Sequence, residues 1–144
     1  CLGNICRSPT AAAVMRQLAS AHPVARGWRI DSAGTGAWHI GKPADPRTLA
    51  TLARHGVPCD HRARQVQPDD FRRYDRLVAM DRQNVGALAL RRPADGSAVV
   101  NLLAADDGEG TDEVPDPYHG GEADFEAVFA QIERCCRAFI ARHG

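Results

Sequence analysis

Cys1 and Arg7 bracket five residues in the run Cys1-Leu2-Gly3-Asn4-Ile5-Cys6-Arg7-Ser8-Pro9. A thiol and a guanidinium closing so short a loop suit one task, holding an oxyanion such as phosphate against a nucleophile. Free N–H groups in a tight loop and at a helix start form a concave anion site. Gly3 takes positive φ freely, and Asn4 is the next most tolerant type. Ser8 fits a helix N-cap and Pro9 the first helical position, where its missing N–H has no helical partner. Arg7 offers a planar fork for two phosphate oxygens. The same positive surroundings lower the pKa of a cysteine, and the thiolate is the nucleophile. A Cys-x5-Arg spacing alone is weak. Gly, Asn, a second Cys, Ser and Pro at fixed offsets make it specific.

Hydrolysis of a phosphate monoester needs a nucleophile, charge neutralisation on the transferring group, and a proton for the leaving oxygen. The first two are local to residues 1–7. Candidates for the third lie in the acidic stretch 104–121, which holds Asp106, Asp107, Glu109, Asp112, Glu113 and Asp116. A long irregular loop in a compact domain is usually functional. Asp116-Pro117-Tyr118 is its most constrained part, because Pro117 fixes its own φ and biases Asp116 toward an extended backbone. The expected chemistry is attack on phosphorus by Cys1 to give a phosphocysteine. Arg7 and the N–H groups of residues 2–7 hold the equatorial oxygens most tightly at the transition state. Asp116 protonates the departing phenolate and then serves as base for the water that clears the intermediate. No metal or other cofactor is required, and no His/Cys/carboxylate cluster has ligand spacing.

Other residues read less sharply. Leu2 and Ile5 put apolar side chains on the loop and, with Trp38 and Tyr118, could sandwich a phenyl ring. Trp38 in a Gly-rich loop is either such a wall or a loop anchor. Cys6 is either inert packing or a partner for Cys1 under oxidation. A lone His such as His61 is more often structural than chemical.

The elements that must position these groups read as an alternation of helices and strands. Residues 9–21 are alanine-rich, with Ala11, Met15 and Leu18 on one helical face. Residues 28–32 read as a short strand with Ile30 inward, and 33–36 as a loop. Asp45-Pro46 opens a helix with Leu49, Leu52 and Ala53 inward, ended by Gly56. A short helix starts near Pro68, among arginines 62, 64, 72, 73 and 76 that read as a solvated mixed-charge surface. Arg76 to Met80 suits a strand buried on both faces, and Asp81 caps a helix over 82–92. A turn at 93–96 leads to a last strand over 98–103. Phe125, Val128, Phe129, Ile132, Cys135, Cys136, Phe139 and Ile140 follow the helical period closely, so both cysteines belong to the core.

At 144 residues the chain is one domain with room for a real core. Its 18 basic and 18 acidic residues cancel, which argues against nucleic-acid binding through general positive charge. No apolar run approaches membrane-span length. Five cysteines without paired CxxC spacing fit a reducing compartment better than a disulfide scaffold.

The first nine residues resemble the signature loop of the low-molecular-weight protein-tyrosine phosphatases. The resemblance reappears at Asp31-Ser32-Ala33-Gly34-Thr35, His61-Arg62-Ala63-Arg64-Gln65, Ala79-Met80-Asp81 and Asp116-Pro117-Tyr118. It implies a single-domain α/β sandwich, with a central four-stranded parallel sheet between helices and its first strand upstream of residue 1. It implies a monomeric cytoplasmic phosphatase acting on phosphotyrosine in proteins and inhibited by inorganic phosphate and related oxyanions. Within that pattern Leu2, Gly3, Asn4, Ile5 and Cys6 bind substrate, and Trp38 and Tyr118 line the mouth of the site. His61 joins Asn4, Ser8 and Ser32 in a network that fixes the loop, and a Cys1–Cys6 disulfide shields the nucleophile from oxidation. Ile5 stands where relatives acting on phosphoarginine tend to carry Thr. His119 departs from the second tyrosine common after Tyr118. Two rivals are an arsenate reductase on the same fold and a phosphotyrosine-binding module without turnover. The first needs resolving cysteines that residues 81–95 lack, and the second has no use for Asp116.

Overall fold

Helix α5, Glu122–His143, is the longest element and carries the core. Its predicted stripe is buried throughout, with Ile132, Cys135 and Cys136 almost completely enclosed. A second helix, α1 (Arg7–Ser20), packs on it through a shared core cluster that holds Ala13, Val14, Met15 and Ala19. Both cysteines are buried in the core and outside any disulfide, as the helical period implies. This computed structural model describes residues 1–106 and 108–144. Asp107, one of the carboxylates of the acidic stretch, lies outside the described residues.

The chain is an α/β domain. After α1 come α2 (Pro46–Arg54), a single turn α3 (Asp70–Arg73), strand β1 (Arg76–Ala79), α4 (Arg82–Arg91) and strand β2 (Val99–Leu102). β1 and β2 pair in parallel, Arg76 opposite Val99 and Ala79 opposite Leu102. Parallel neighbours need a crossover, and α4 supplies it. Among the described residues these are the two strands of the sheet.

Residues 28–32 do not form the predicted strand. They border a cleft of about 640 Å³ whose apolar lining includes Trp28, Ile30, Leu77 and Val78. Among the described residues no strand pairs with them, and the chain just beyond them makes only an isolated parallel bridge, Gly34–Gln65. The cleft also explains why Leu77 and Val78 are only partly buried where burial on both faces was expected.

Three local expectations shift. α1 begins at Arg7, with Cys6 at the cap position and no side-chain cap, so Ser8 is not the N-cap. Pro9 is tolerated because first-turn N–H groups lack helical acceptors. In α2 the buried face is Thr48, Thr51 and Leu52, while Ala53 is exposed. The Thr51 hydroxyl bonds the Arg47 carbonyl at 2.9 Å, which removes the cost of turning it inward. The acidic stretch opens with a 3₁₀ turn, Leu103–Asp106. Asp45 and Asp81 cap α2 and α4 as predicted, accepting from Arg47 N and Asn84 N at 2.8 Å.

Candidate active site

The loop of residues 1–6 is held by its carbonyls. Cys1 O accepts from Thr35 N at 2.9 Å, Leu2 O from Gly36 N at 2.8 Å, and Ile5 O from Asp45 N at 2.9 Å. Asn4 O accepts from His61 at 2.6 Å and Cys6 O from the Thr10 hydroxyl at 2.8 Å. With those oxygens committed to neighbouring elements, the amides face the other way. Among the described residues, no N–H of residues 2–6 donates to a protein acceptor. That arrangement is an anion cradle at the start of a helix.

Positive φ falls on Asn4, at 57°, and not on Gly3. Asn4 is fully buried and uses its whole side chain. Its Nδ2 donates to Ser8 Oγ at 2.8 Å and to Ser32 Oγ at 3.0 Å, and its Oδ1 accepts from Arg64 N at 3.0 Å. Because a carbonyl only accepts, His61 Nε2 carries the proton that Asn4 O receives. Burial pushes the His61 pKa down, against the opposing pull of that bond. The ring serves as a fixed donor to the loop backbone. Gly34 packs under this network, and a Cβ there would stand 2.7 Å from Leu2 O. Asn4, Ser8, Ser32 and His61 are thus brought together as the resemblance implies.

Cys1 Sγ lies 2.9 Å from Ser8 Oγ, which explains why Ser8 is not spent on capping. Cys6 is buried with Ile5, Ala63 and Phe125. Burial pushes its thiol up to about 11, so it stays protonated and offers no second thiolate.

Arg7 extends from the first turn of α1 and is only 4% exposed. Nη1 donates to Asp81 Oδ2 at 2.6 Å and to Val114 O at 2.9 Å. Nη2 stands 3.8 Å from Asp116 Oδ2. One guanidinium therefore ties the loop to the end of β1 and to the acidic stretch. Val114 N donates to Met80 O at 2.8 Å, fastening that stretch to the same strand end. Asp116 itself is 46% exposed and accepts from Tyr118 N at 3.1 Å.

Asp81 is the functional residue that sequence reasoning missed. It reads as a helix cap, and Oδ1 does cap α4, while Oδ2 takes Arg7. Partial burial pushes its pKa up, but the Arg7 bond, the Asn84 amide and the Arg7 charge outweigh this and hold it below the ordinary carboxylate range. A depressed folded pKa gives stability that is present above the unfolded value and lost as pH falls through the folded one. Asp81→Asn, which keeps the cap, should therefore destabilise the protein near neutrality. The gap to wild type should hold from about pH 7 to about pH 4 and narrow from there down to about pH 2. Urea denaturation of both proteins across that range checks this, and a gap independent of pH would refute the ion pair's contribution.

Of the aromatic and apolar candidates, Leu2 and Trp38 line a groove of about 550 Å³ together with Gln65 and Arg91. Trp38 is 69% exposed, its ring lying against Gly36 where a Cβ would collide with it. Tyr118 is also exposed, edge-on to His119 and stacked by Arg47. Ile5 is turned into the core and away from this surface.

Comparison with known proteins is consistent along the whole chain. Residues 1–143 match the family model described as low molecular weight phosphotyrosine protein phosphatase. The low molecular weight phosphotyrosine protein phosphatase of Gallus gallus is 44% identical over 144 residues, 99% of this chain and 91% of that protein. The low molecular weight protein-tyrosine-phosphatase of Streptomyces coelicolor is 43% identical, covering 98% and 88%. A crystal structure of a protein tyrosine phosphatase from Entamoeba histolytica, with Hepes in its active site, superposes with a TM-score of 0.92 at 37% identity. It covers 99% of this chain and 92% of its own.

Proposed function

This chain belongs to the low molecular weight phosphotyrosine protein phosphatase family, and from that premise we propose that it hydrolyses phosphotyrosine in proteins through a phosphocysteine on Cys1. It is a protein-tyrosine phosphatase, a hydrolase. The observation that carries the mechanism is the triple engagement of Arg7 by Asp81, Val114 O and Asp116 at the rim of a loop with unengaged amides.

In the first step the Cys1 thiolate attacks phosphorus and the phosphorus–oxygen bond to the phenol breaks. Asp116 gives its proton to the departing oxygen. In the second step Asp116, now a carboxylate, takes a proton from water as that water attacks phosphorus, releasing phosphate and the thiolate. The loop amides and the free edge of the Arg7 fork carry the equatorial oxygens. Asn4, Ser8, Ser32 and His61 support the loop, and Leu2, Trp38 and Tyr118 contact the phenyl ring. Gly3, Ile5 and Cys6 contribute backbone N–H groups.

The four-stranded parallel sheet belongs to the same reading. An extended apolar segment in the 640 Å³ cleft would join residues 28–33 to β1. Phosphoprotein substrates and a monomeric cytoplasmic enzyme complete it. Among the described residues no helix is long and apolar enough to cross a membrane.

The test is hydrolysis of p-nitrophenyl phosphate at mildly acidic pH in a metal chelator. Asp116→Asn should lose about 10²-fold in kcat/KM while still forming a phosphocysteine that acid quenching traps. Phosphate or vanadate binding without turnover in the wild type would instead identify a capture module.

A further inference from the structure

We propose that Arg47 is a positioning residue for Asp116, fixing the acid-bearing turn to the loop that carries Cys1; this rests on the phosphatase reading above. Arg47 is the second residue of α2. Its guanidinium takes Asp45 in a two-point grip, Nε to Oδ1 and Nη2 to Oδ2, both at 3.0 Å. Its Nη1 reaches across the molecule to Gly120 O at 3.2 Å. The cation stacks on two rings, 5.3 Å from the Tyr118 centroid and 4.6 Å from that of Phe125.

Each end of this strut reaches the proposed chemistry. Asp45 donates its backbone N–H to Ile5 O at 2.9 Å, so its base stands on the phosphate loop. Phe125 belongs to the small core cluster that holds Ile5 and Cys6. At the other end, Tyr118 N donates to Asp116 Oδ1 at 3.1 Å, and a turn closed by Gly120 N and Pro117 O at 2.8 Å bounds the segment. Arg47 thus clamps two residues of that turn, a ring and a carbonyl, while Asp116 projects from its start.

Asp116 needs such help. Its carboxyl is nearly half exposed, and its link to the phosphate loop is Arg7 Nη2 at 3.8 Å, longer than a hydrogen bond. A general acid acts only within hydrogen-bond reach of the leaving oxygen. Long-range attraction of substrate is not the role of Arg47, because Asp45 neutralises it at contact. The Arg47 hydrogen bond is the largest influence holding the Asp45 carboxyl low. As a plain surface ion pair it would matter little; its placement gives it a function.

The discriminating readout is dependence on the leaving group. Arg47→Met keeps the apolar stem and loses the fork. It should lower kcat/KM for phenyl phosphate, whose phenolate needs a proton, by about tenfold, and for p-nitrophenyl phosphate by about threefold or less. Arg47→Lys, which keeps the charge, should recover part of the loss and carries the same test should Arg47→Met fold poorly. In an Asp116→Asn background, Arg47→Met should change kcat/KM by less than about twofold, because the group it positions is gone. Equal losses on both substrates, or an undiminished loss in the Asp116→Asn background, would overturn the proposal. Wild-type rates for Asp116→Asn would remove the acid and overturn both readings, whereas wild-type rates for Arg47→Met alone overturn only this one.

Discussion

Cys1→Ser should abolish turnover of p-nitrophenyl phosphate, by about 10⁴-fold or more, with phosphate binding retained. The substitution changes one atom, so the cradle of amides and the Arg7 fork remain. A serine hydroxyl, however, is a weak nucleophile unless a base removes its proton, as histidine does in serine hydrolases. Among the described residues no such base is in hydrogen-bond contact with Cys1. The described contact of Cys1 Sγ is another hydroxyl, that of Ser8 at 2.9 Å. The nearby histidine, His61, gives its Nε2 proton to Asn4 O at 2.6 Å and serves the loop backbone. Asp116 stands 3.8 Å from Arg7 Nη2 and, in the proposed mechanism, serves the leaving group. A thiol ionises far more readily than a hydroxyl, so a nucleophile in this position needs no base only when it is a cysteine. Calorimetric titration with vanadate or phosphate should show near-wild-type affinity for Cys1→Ser. Residual activity within about tenfold of wild type would show that Cys1 is not the nucleophile.

What could be read from the sequence follows the range of the forces involved. The loop was legible because most of its residue types answer local demands within nine positions, although positive φ falls on Asn4 where Gly3 was also suited. Helix α5 was legible because burial imposes its period directly on the chain. Arg7 and Asp81, 74 positions apart, were not linked by any pattern. Asp81 had a sufficient local explanation as a cap, and it satisfies that role with its other oxygen. Ser8 shows the same competition with the opposite result. Local preference assigns it to capping, but the buried Asn4 amide and the Cys1 sulfur claim its hydroxyl. Residues 28–32 have the composition of a strand, but a strand is defined by its neighbours, and the cleft lies where one would pair. Arg47 stands in the first turn of α2, where nothing in the local sequence marks it. Its reach to Gly120, 73 positions away, is set by how the acidic stretch folds back.

Replacing Arg7 should cost nearly as much as replacing Cys1, for a different reason. Arg7→Ala should lower kcat/KM by about 10³-fold, and here phosphate binding should fall as well. Beside the anion cradle the guanidinium neutralises the Asp81 carboxylate at 2.6 Å and stands 3.8 Å from Asp116. Without it, a phosphate dianion would approach uncompensated negative charge in a partly buried site, where screening is weak. Arg7→Lys should not rescue the enzyme. A single ammonium cannot bond Asp81, Val114 O and two phosphate oxygens at once, and it lacks the planar fork that matches a phosphoryl edge. The repulsion is separable from the lost clamp. Adding Asp81→Asn to Arg7→Ala removes one carboxylate charge while keeping the α4 cap, and it should restore part of the phosphate affinity but little of kcat. If the double variant binds phosphate no better than Arg7→Ala, then Arg7 acts only as a direct ligand and its pairing with Asp81 serves stability alone.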